Sequence, residues 1–345
     1  MNSTEDIENI NILTQYLNGF VISKTVFTAC EMGVFDLLLG SKELLSSKMI
    51  SDRLNSSLKG MEKLLDACVA LKLLKVERKN TQVLYGNTDL SNLYLAKSSP
   101  KSQYYYMMFF SESLYSKFHY LADAVREGKW QREKFDNSPK NIFEELYSSK
   151  ENIKKIMLAM NASCSLCGRD VMTAFDLSHF PLICDVGGCG GALAKECISL
   201  YPNSTITILD LPEVVKIAKK DFVSAEEHRI NFCAVDFFKD PVPEADLYIL
   251  ARILLDWDDE SCMELLTKVH KACKPGGGVL ISEIVLNEDR SGPIEAHFAS
   301  MLLLFYFEGK IRTPSELSRL LSATGFKEIQ MKKTQSQYNV ILARK

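Results

Sequence analysis

The apolar positions change period partway along the chain. From Ile7 to Leu39 they recur at helical spacing, through Phe20, Val21, Val26, Phe27, Val34, Phe35 and Leu38, which predicts one long helix. Helical stretches follow from Met49 to Leu54 and, after a Ser56-Ser57 break, from Gly60 to Leu74. The second carries a stripe of Met61, Leu64, Leu65, Cys68, Leu71 and Leu74. Lys75 to Tyr85 alternates like a two-stranded wing about Lys79-Asn80. Tyr104 to Tyr120 is rich in aromatic residues, and Asn141 to Thr173 reads as linking helices. Near Asp176 the pattern becomes one of short apolar strands alternating with helices. Strands are predicted from Leu182 to Val186, Thr205 to Leu209, Ile230 to Ala234, Ala245 to Leu250 and Gly278 to Val285, with a closing pair from Phe326 to Met331 and Tyr338 to Ala343. That order implies an α/β fold with a doubly wound, mostly parallel sheet and a late antiparallel edge. A helical, winged-helix-like region precedes it, so the expected division is 1–115, connecting helices over 116–175, and a sheet domain over 176–345.

The wing and the helices before it have the outline of a DNA reader. The helix from Gly60 to Leu74 is apolar over most of its surface and has few basic side chains, so a packing scaffold is the better reading. Its apolar surplus, continued from Tyr104 to Tyr120, predicts a homodimer formed through the N-terminal helices. The chain as a whole has 41 Lys and Arg against 44 Asp and Glu in 345 residues, a net charge of −3. No broad cationic surface follows, and neither nucleic acid nor an anionic membrane is an expected partner. With 46% hydrophobic residues, no signal-like N-terminus and no run of about 18 to 20 apolar residues, a cytoplasmic protein is expected.

The candidate chemistry lies at Pro181 to Gly191. A buried strand there runs into Gly187-Gly188-Cys189-Gly190-Gly191 and then into a helix, a turn whose free N–H groups face a bound ligand. Twenty-five residues after Asp185, the next strand ends in Asp210, whose carboxylate can accept hydrogen bonds from two ribose hydroxyls. The order of strand, glycines, helix, strand and acid points to an adenosine-containing ligand. Gly187, Asp210, Asp236 and Arg252 all fall at carboxyl ends of strands, where such sheets bind ligands. Lys274-Pro275-Gly276-Gly277-Gly278 reads as a turn. The ten cysteines are mostly single in apolar runs, as reduced thiols are; Cys164 and Cys167 form the one C-x-x-C pair, and the five histidines supply no metal spacing.

These motifs resemble the S-adenosylmethionine-dependent small-molecule O-methyltransferases of the acetylserotonin type. The likeness runs from Asn18-Gly19-Phe20 through the Leu121 to Gly128 and Ala174 to Ser178 segments, Asp236-Phe237-Phe238-Lys239-Asp240 and the run from Glu244 to Arg252. It implies a class I, Rossmann-like methyltransferase domain, a dimerising N-terminal domain, S-adenosylmethionine as cofactor and a small aromatic hydroxyl substrate. By position it implies cofactor contact at Tyr147, Cys164, Gly187, Asp210, Val235, Asp236, Phe237 and Arg252, and substrate contact at Asp256, Leu302 and Tyr306.

The chain departs from that pattern where the chemistry lies. The family's proton-accepting histidine stands before Asp256-Trp257, and here the position is Leu255. Of the two glutamates that flank it, one corresponds to Glu283 and the other has become Ile311. General-base help is worth about 100- to 10,000-fold, and leucine cannot supply it. The family's substrate-holding asparagine and glutamine are Leu302 and Tyr306. Beside the cofactor, a glycine has become Cys189, another has become Val235, and a tryptophan has become Cys164. Melatonin-forming methyl transfer is therefore expected to be lost or strongly impaired, leaving a pseudoenzyme or a repurposed family member. The alternative is an active O-methyltransferase on N-acetylserotonin or another hydroxylated aromatic molecule.

Overall fold

The computed structural model describes residues 4–129, 147–305 and 309–345. The chain forms two compact units, Met1–Ser116 and Lys117–Lys345.

In the first unit the expected single long helix is two, Thr4–Glu31 and Val34–Leu39, because the chain turns left-handed at Gly33, where φ is 75°. Helices Ser47–Arg53 and Leu58–Ala70 follow, each opened by a serine hydroxyl: Ser46 accepts from the Met49 N–H and Ser57 from the Gly60 N–H. The wing consists of β2 (Leu74–Lys79) and β3 (Gln82–Asn87), and the short β1 (Leu45–Ser46) pairs on the other side of β3. The stripe on Leu58–Ala70 is consumed internally: Met61, Leu65 and Cys68 pack with Phe35, Ile50 and Tyr85 in this unit's own core. That helix is not the surplus it was expected to be. The exposed apolar surface lies instead on Thr4–Glu31, from Ile7 through Tyr16, Leu17 and Phe20 to Ile22.

The second unit is built on a seven-stranded sheet in the order β6-β5-β4-β7-β8-β10-β9. Its strands are β4 (Leu182–Val186), β5 (Thr205–Asp210), β6 (Ile230–Ala234), β7 (Ala245–Ala251), β8 (Cys273–Glu283), β9 (Lys327–Lys333) and β10 (Asn339–Arg344). The first five are parallel, and β10 runs antiparallel to both β8 and β9. This is the class I methyltransferase arrangement. Both faces are apolar and covered: Leu209, Leu250 and Ile281 point into one core, and Ile183, Ile249 and Leu280 into the other.

One expectation is corrected. Lys274 to Gly278 does not precede β8 as a turn but forms its irregular first part. Cys273 already pairs with Ala245, and the register shifts before Leu247 meets Gly278. Gly278 passes so close to β10 that a Cβ would lie 2.4 Å from the Ala343 carbonyl oxygen.

After β4 the chain moves outward through β5 and β6, then returns to place β7 on the other side of β4. That reversal opens a crevice at the carboxyl ends of β4 and β7. No helix among the described residues is long and apolar enough to cross a membrane. Ile249 is fully buried in the central strand. Ile249→Ala is expected to destabilise the second unit by about 2–5 kcal/mol in urea titration.

Candidate functional site

The loop between β4 and helix Ala192–Leu200 is drawn tightly over the end of the sheet. At Gly188 a Cβ would lie 2.6 Å from Asp185 Oδ2, so no larger residue fits there without a shift. Cys189, one residue on, has φ of 53°, the left-handed region that glycine enters freely and cysteine enters at a cost of about 1 kcal/mol. Its N–H donates to Asp210 Oδ2 at 2.8 Å, while the Leu211 N–H donates to Asp210 Oδ1 at 2.8 Å. Asp210 is thus oriented from two sides, and each oxygen keeps a second acceptor direction. Burial pushes its carboxyl up to about 6, against the pull of those two N–H groups. Tyr147 lies beside Asp210, Cys189 and Asp256; burial, then those three groups, raise its phenol.

Gly187, Cys189, Cys164 and Arg252 line one cleft. Arg252, also left-handed with φ of 59°, donates to Cys164 Sγ at 2.8 Å and to Ser163 Oγ at 3.3 Å on helix Lys150–Thr173, and its guanidinium lies over the Tyr338 ring. Cys167, the other half of the C-x-x-C pair, is buried in an apolar cluster. At the end of β6, the Val235 N–H donates to the Asp210 carbonyl at 3.0 Å, and Val235 packs on the sheet core. Asp236 is ion-paired with Lys239 at 2.8 Å. Burial pushes its carboxyl up, but Lys239 and the Phe238 N–H outweigh that and hold it below the ordinary range. Phe237 meets Trp257 edge to face.

The turn that carries Leu255 is held at both poles. Glu283 Oε1, on a side chain 1% exposed, accepts from the Leu255 N–H at 3.0 Å. Arg312, fully buried, donates to the Leu254 carbonyl at 2.7 Å and the Trp257 carbonyl at 2.8 Å, and to Asp259 Oδ1 at 2.9 Å. Burial pushes Glu283 up to about 7, with Arg312 and the turn's N–H groups pulling the other way. Asp256 is raised well above the ordinary range by burial and by Glu283, with Arg252 opposing.

Leu255 and Ile311 are brought to one apolar cluster with Ile284, Leu286, Leu303 and Tyr338. Leu255 and Ile311, expected at the family's base and acid positions, thus pack in the same core. Leu302 is half-buried on helix Ile294–Leu303, but its neighbour Leu303, not Leu302, joins that cluster. Tyr306 lies outside the described residues.

Three residues that matter were not singled out from the sequence. Arg312 follows Ile311 in an unremarkable segment, and nothing in its spacing announces a buried guanidinium. Asp185, 2% exposed, has Oδ2 without a hydrogen-bond partner among the described residues, and so does Asn161 Oδ1; both residues line the cleft. Asp185 had a usable signal, since it is the one acid inside the apolar run of β4.

Comparison with known proteins accords with this geometry. Residues 118–327 match the O-methyltransferase domain, and residues 14–97 the O-methyltransferase dimerisation domain. The chain is 56% identical to acetylserotonin O-methyltransferase of Gallus gallus and 48% identical to that of Homo sapiens, covering all of both chains in each case. The crystal structure of human N-acetylserotonin methyltransferase in complex with SAM superposes with a TM-score of 0.95 at 47% identity, over 100% of this chain and 99% of that one.

Two outcomes are expected. Asp185, Asp210 and Glu283 hold protons more tightly in the folded chain than in the unfolded one, so stability falls as pH rises from about 4 to about 7 and levels off above. Asp236 and Asp259, held low, contribute in the opposite sense only below about pH 4. Thermal midpoints across that range should therefore decline, and a rise would contradict the buried acids. Cys189→Gly should relieve the loop by about 1 kcal/mol in the native state, and with less bulk in the cleft should bind an adenosine ligand more tightly in calorimetry.

Proposed function

The chain belongs to the acetylserotonin-type O-methyltransferases, and we propose that it binds S-adenosylmethionine and dimerises but has lost, or keeps only strongly impaired, melatonin-forming methyl transfer. The observation that carries this reading is the shared apolar cluster of Leu255 and Ile311, with the Glu283 carboxyl engaged by the turn's own backbone. A hydroxyl arriving there meets no imidazole, and the remaining acid holds the main chain rather than a base.

The cleft fits the cofactor. Its glycine loop allows close backbone approach, Asp210 keeps acceptor directions for ribose hydroxyls, and two residues that line it carry buried oxygens without a hydrogen-bond partner among the described residues. S-adenosylmethionine, when bound, supplies an electrophilic methyl group. Asp210, Asp236, Phe237, Tyr147 and Arg252 are the residues we assign to holding it, with Cys164 and Val235 changing the shape of its surroundings. Asp256 remains to contact a small aromatic substrate, and Leu302 and Tyr306 are the apolar and aromatic residues we assign to the same role.

The exposed apolar side chains of Thr4–Glu31 support a homodimer with a second copy of the chain. Ten free cysteines fit a reducing, cytoplasmic setting. A second reading is methyl transfer to a more acidic aromatic hydroxyl, one that ionises without a histidine.

Radiolabelled methyl transfer to N-acetylserotonin tests the loss directly. The expected rate is far below that of an active relative, and turnover within about tenfold of it, roughly 1.4 kcal/mol of barrier, would overturn the proposal. Leu255→His alone should remain nearly inactive. Adding Ile311→Glu, Leu302→Asn and Tyr306→Gln should bring measurable turnover, because groups that act as a unit are non-additive. Asp210→Ala should weaken cofactor binding by about 1.5–3 kcal/mol in calorimetry. Solution scattering should report a dimer, and a monodisperse monomer at micromolar concentration would remove the interface.

A further inference from the structure

The C-x-x-C pair that the sequence singles out is divided by the fold. Cys167 is buried, and its thiol is engaged within its own helix, donating to the Ser163 and Cys164 carbonyls at 3.7 and 3.8 Å. Cys164 lines the cleft instead, together with Cys189. Seven of the ten cysteines are buried; Cys164, Cys189 and Cys233 are half-buried, and Cys233 stands apart on β6. Two accessible thiols thus reach one cleft from different elements, Cys164 from helix Lys150–Thr173 and Cys189 from the loop after β4. They are near enough for a charge on Cys164 to act on Cys189. Arg252 stands beside both, and its guanidinium donates to Cys164 Sγ at 2.8 Å. Burial raises both thiols, and Arg252 is the chief opposing influence at Cys164 but a minor one at Cys189, where Asp210 adds to the rise. Cys164 is therefore the readier nucleophile of the two.

We propose that Cys164 and Cys189 are a peroxide-sensitive pair whose disulfide closes the cofactor cleft. The closure rests on the S-adenosylmethionine reading above; the bond itself does not. With hydrogen peroxide as oxidant, the Cys164 sulfur forms an S–O bond as the O–O bond breaks, and the thiol proton leaves with the departing oxygen as water. The Cys189 sulfur then attacks the sulfenic sulfur. The S–S bond forms, the S–O bond breaks, and the Cys189 proton leaves with that oxygen as a second water. Two thiols have lost two hydrogens, and one peroxide has become two waters. Exchange with a small thiol restores both cysteines. Such a bond forms only where the two Cα atoms come within about 7 Å, so the link also measures how near the walls of the cleft approach.

The reduced full-length protein is treated with hydrogen peroxide, remaining thiols are capped with iodoacetamide, and an unreduced digest is mapped by tandem mass spectrometry. Fragmentation must separate Cys164 from Cys167 and Cys189 from Cys184, because each pair shares a tryptic peptide. A Cys164–Cys189 link within one chain, two hydrogens lighter and reversed by dithiothreitol, is the expected result. Cys167→Ser should keep the link, and Cys164→Ser and Cys189→Gly should each lose it. A Cys164–Cys167 link, links only between copies, or Cys164 carried on to sulfinic acid with no link would overturn the proposal, and the unmodified protein alone decides among these.

Calorimetry with S-adenosylhomocysteine tests the closure. Affinity should fall about tenfold or more in the linked protein and return with dithiothreitol, and saturating ligand added first should slow formation of the link. Equal binding by the reduced and the linked protein would overturn the closure while leaving the cofactor reading intact. If the reduced protein binds no S-adenosylhomocysteine although the link forms, the cofactor reading and the closure fall together and the bond stands.

Discussion

The turn from Ile253 to Trp257 is fixed by a buried carboxyl and a buried guanidinium at opposite poles, and the arrangement of the site depends on that fixation. Glu283 accepts an amide N–H at one pole, and Arg312 donates to two carbonyls at the other while it is ion-paired with Asp259. Held between them, the turn presents Leu255 to the apolar cluster and Asp256 toward Arg252 and Tyr147. Its rigidity fixes where residue 255 stands whatever that residue is.

The same physics governs the cofactor side. The strand ends gather Asp185 and Asp210, and the turn after β7 adds Asp256, with Arg252 as counter-charge to Asp185 and Asp256. Water is largely excluded, so each carboxyl moves toward its neutral form rather than sitting charged and unpaired. Such an interior is poorly satisfied when empty and suited to a ligand bearing both positive charge and hydroxyl groups. Arg252 keeps its place only by adopting a left-handed backbone and leaning on a thiol and a hydroxyl. Its strain and that of Cys189 are concentrated on the two sides of one cleft, and functional sites are where such strain persists.

The sheet was legible because its strands are buried on both faces and therefore read as unbroken apolar runs; β4, β5, β6 and β7 appear within a residue of where periodicity put them. The loop and Asp210 were legible because glycine spacing has a steric cause. Two features were hidden for equally physical reasons. The break at Gly33 was invisible to periodicity, since Val34, Phe35 and Leu38 keep helical spacing on either side of a left-handed residue. Arg312 was hidden because a long polar side chain is ordinarily solvated, and only the tertiary arrangement supplies the carbonyls that draw it inside. The apolar stripe of Leu58–Ala70 misled in the opposite way. A stripe shows that a face is covered but not by what, and here the cover is the unit's own Phe35, Ile50 and Tyr85.

On the proposed reading, what the pairing of Leu255 with Ile311 implies goes beyond the loss of a base. Had only residue 255 changed, the second acid would stand as a buried carboxylate facing hydrocarbon, several kcal/mol uphill unless protonated. With both positions apolar, Ile284, Leu286 and Tyr338 close around them and no polar atom of either side chain remains to be satisfied. Two changes that are each unfavourable alone become one ordinary core contact together. The cluster is thus an ordinary packed core, and the clamp from Glu283 and Arg312 gives it a fixed wall to pack against. An imidazole returned to position 255 by itself would enter that core with no partner for its ring nitrogens. On that reading the barrier to methyl transfer is set by the packing of a whole cluster, not by the identity of one residue.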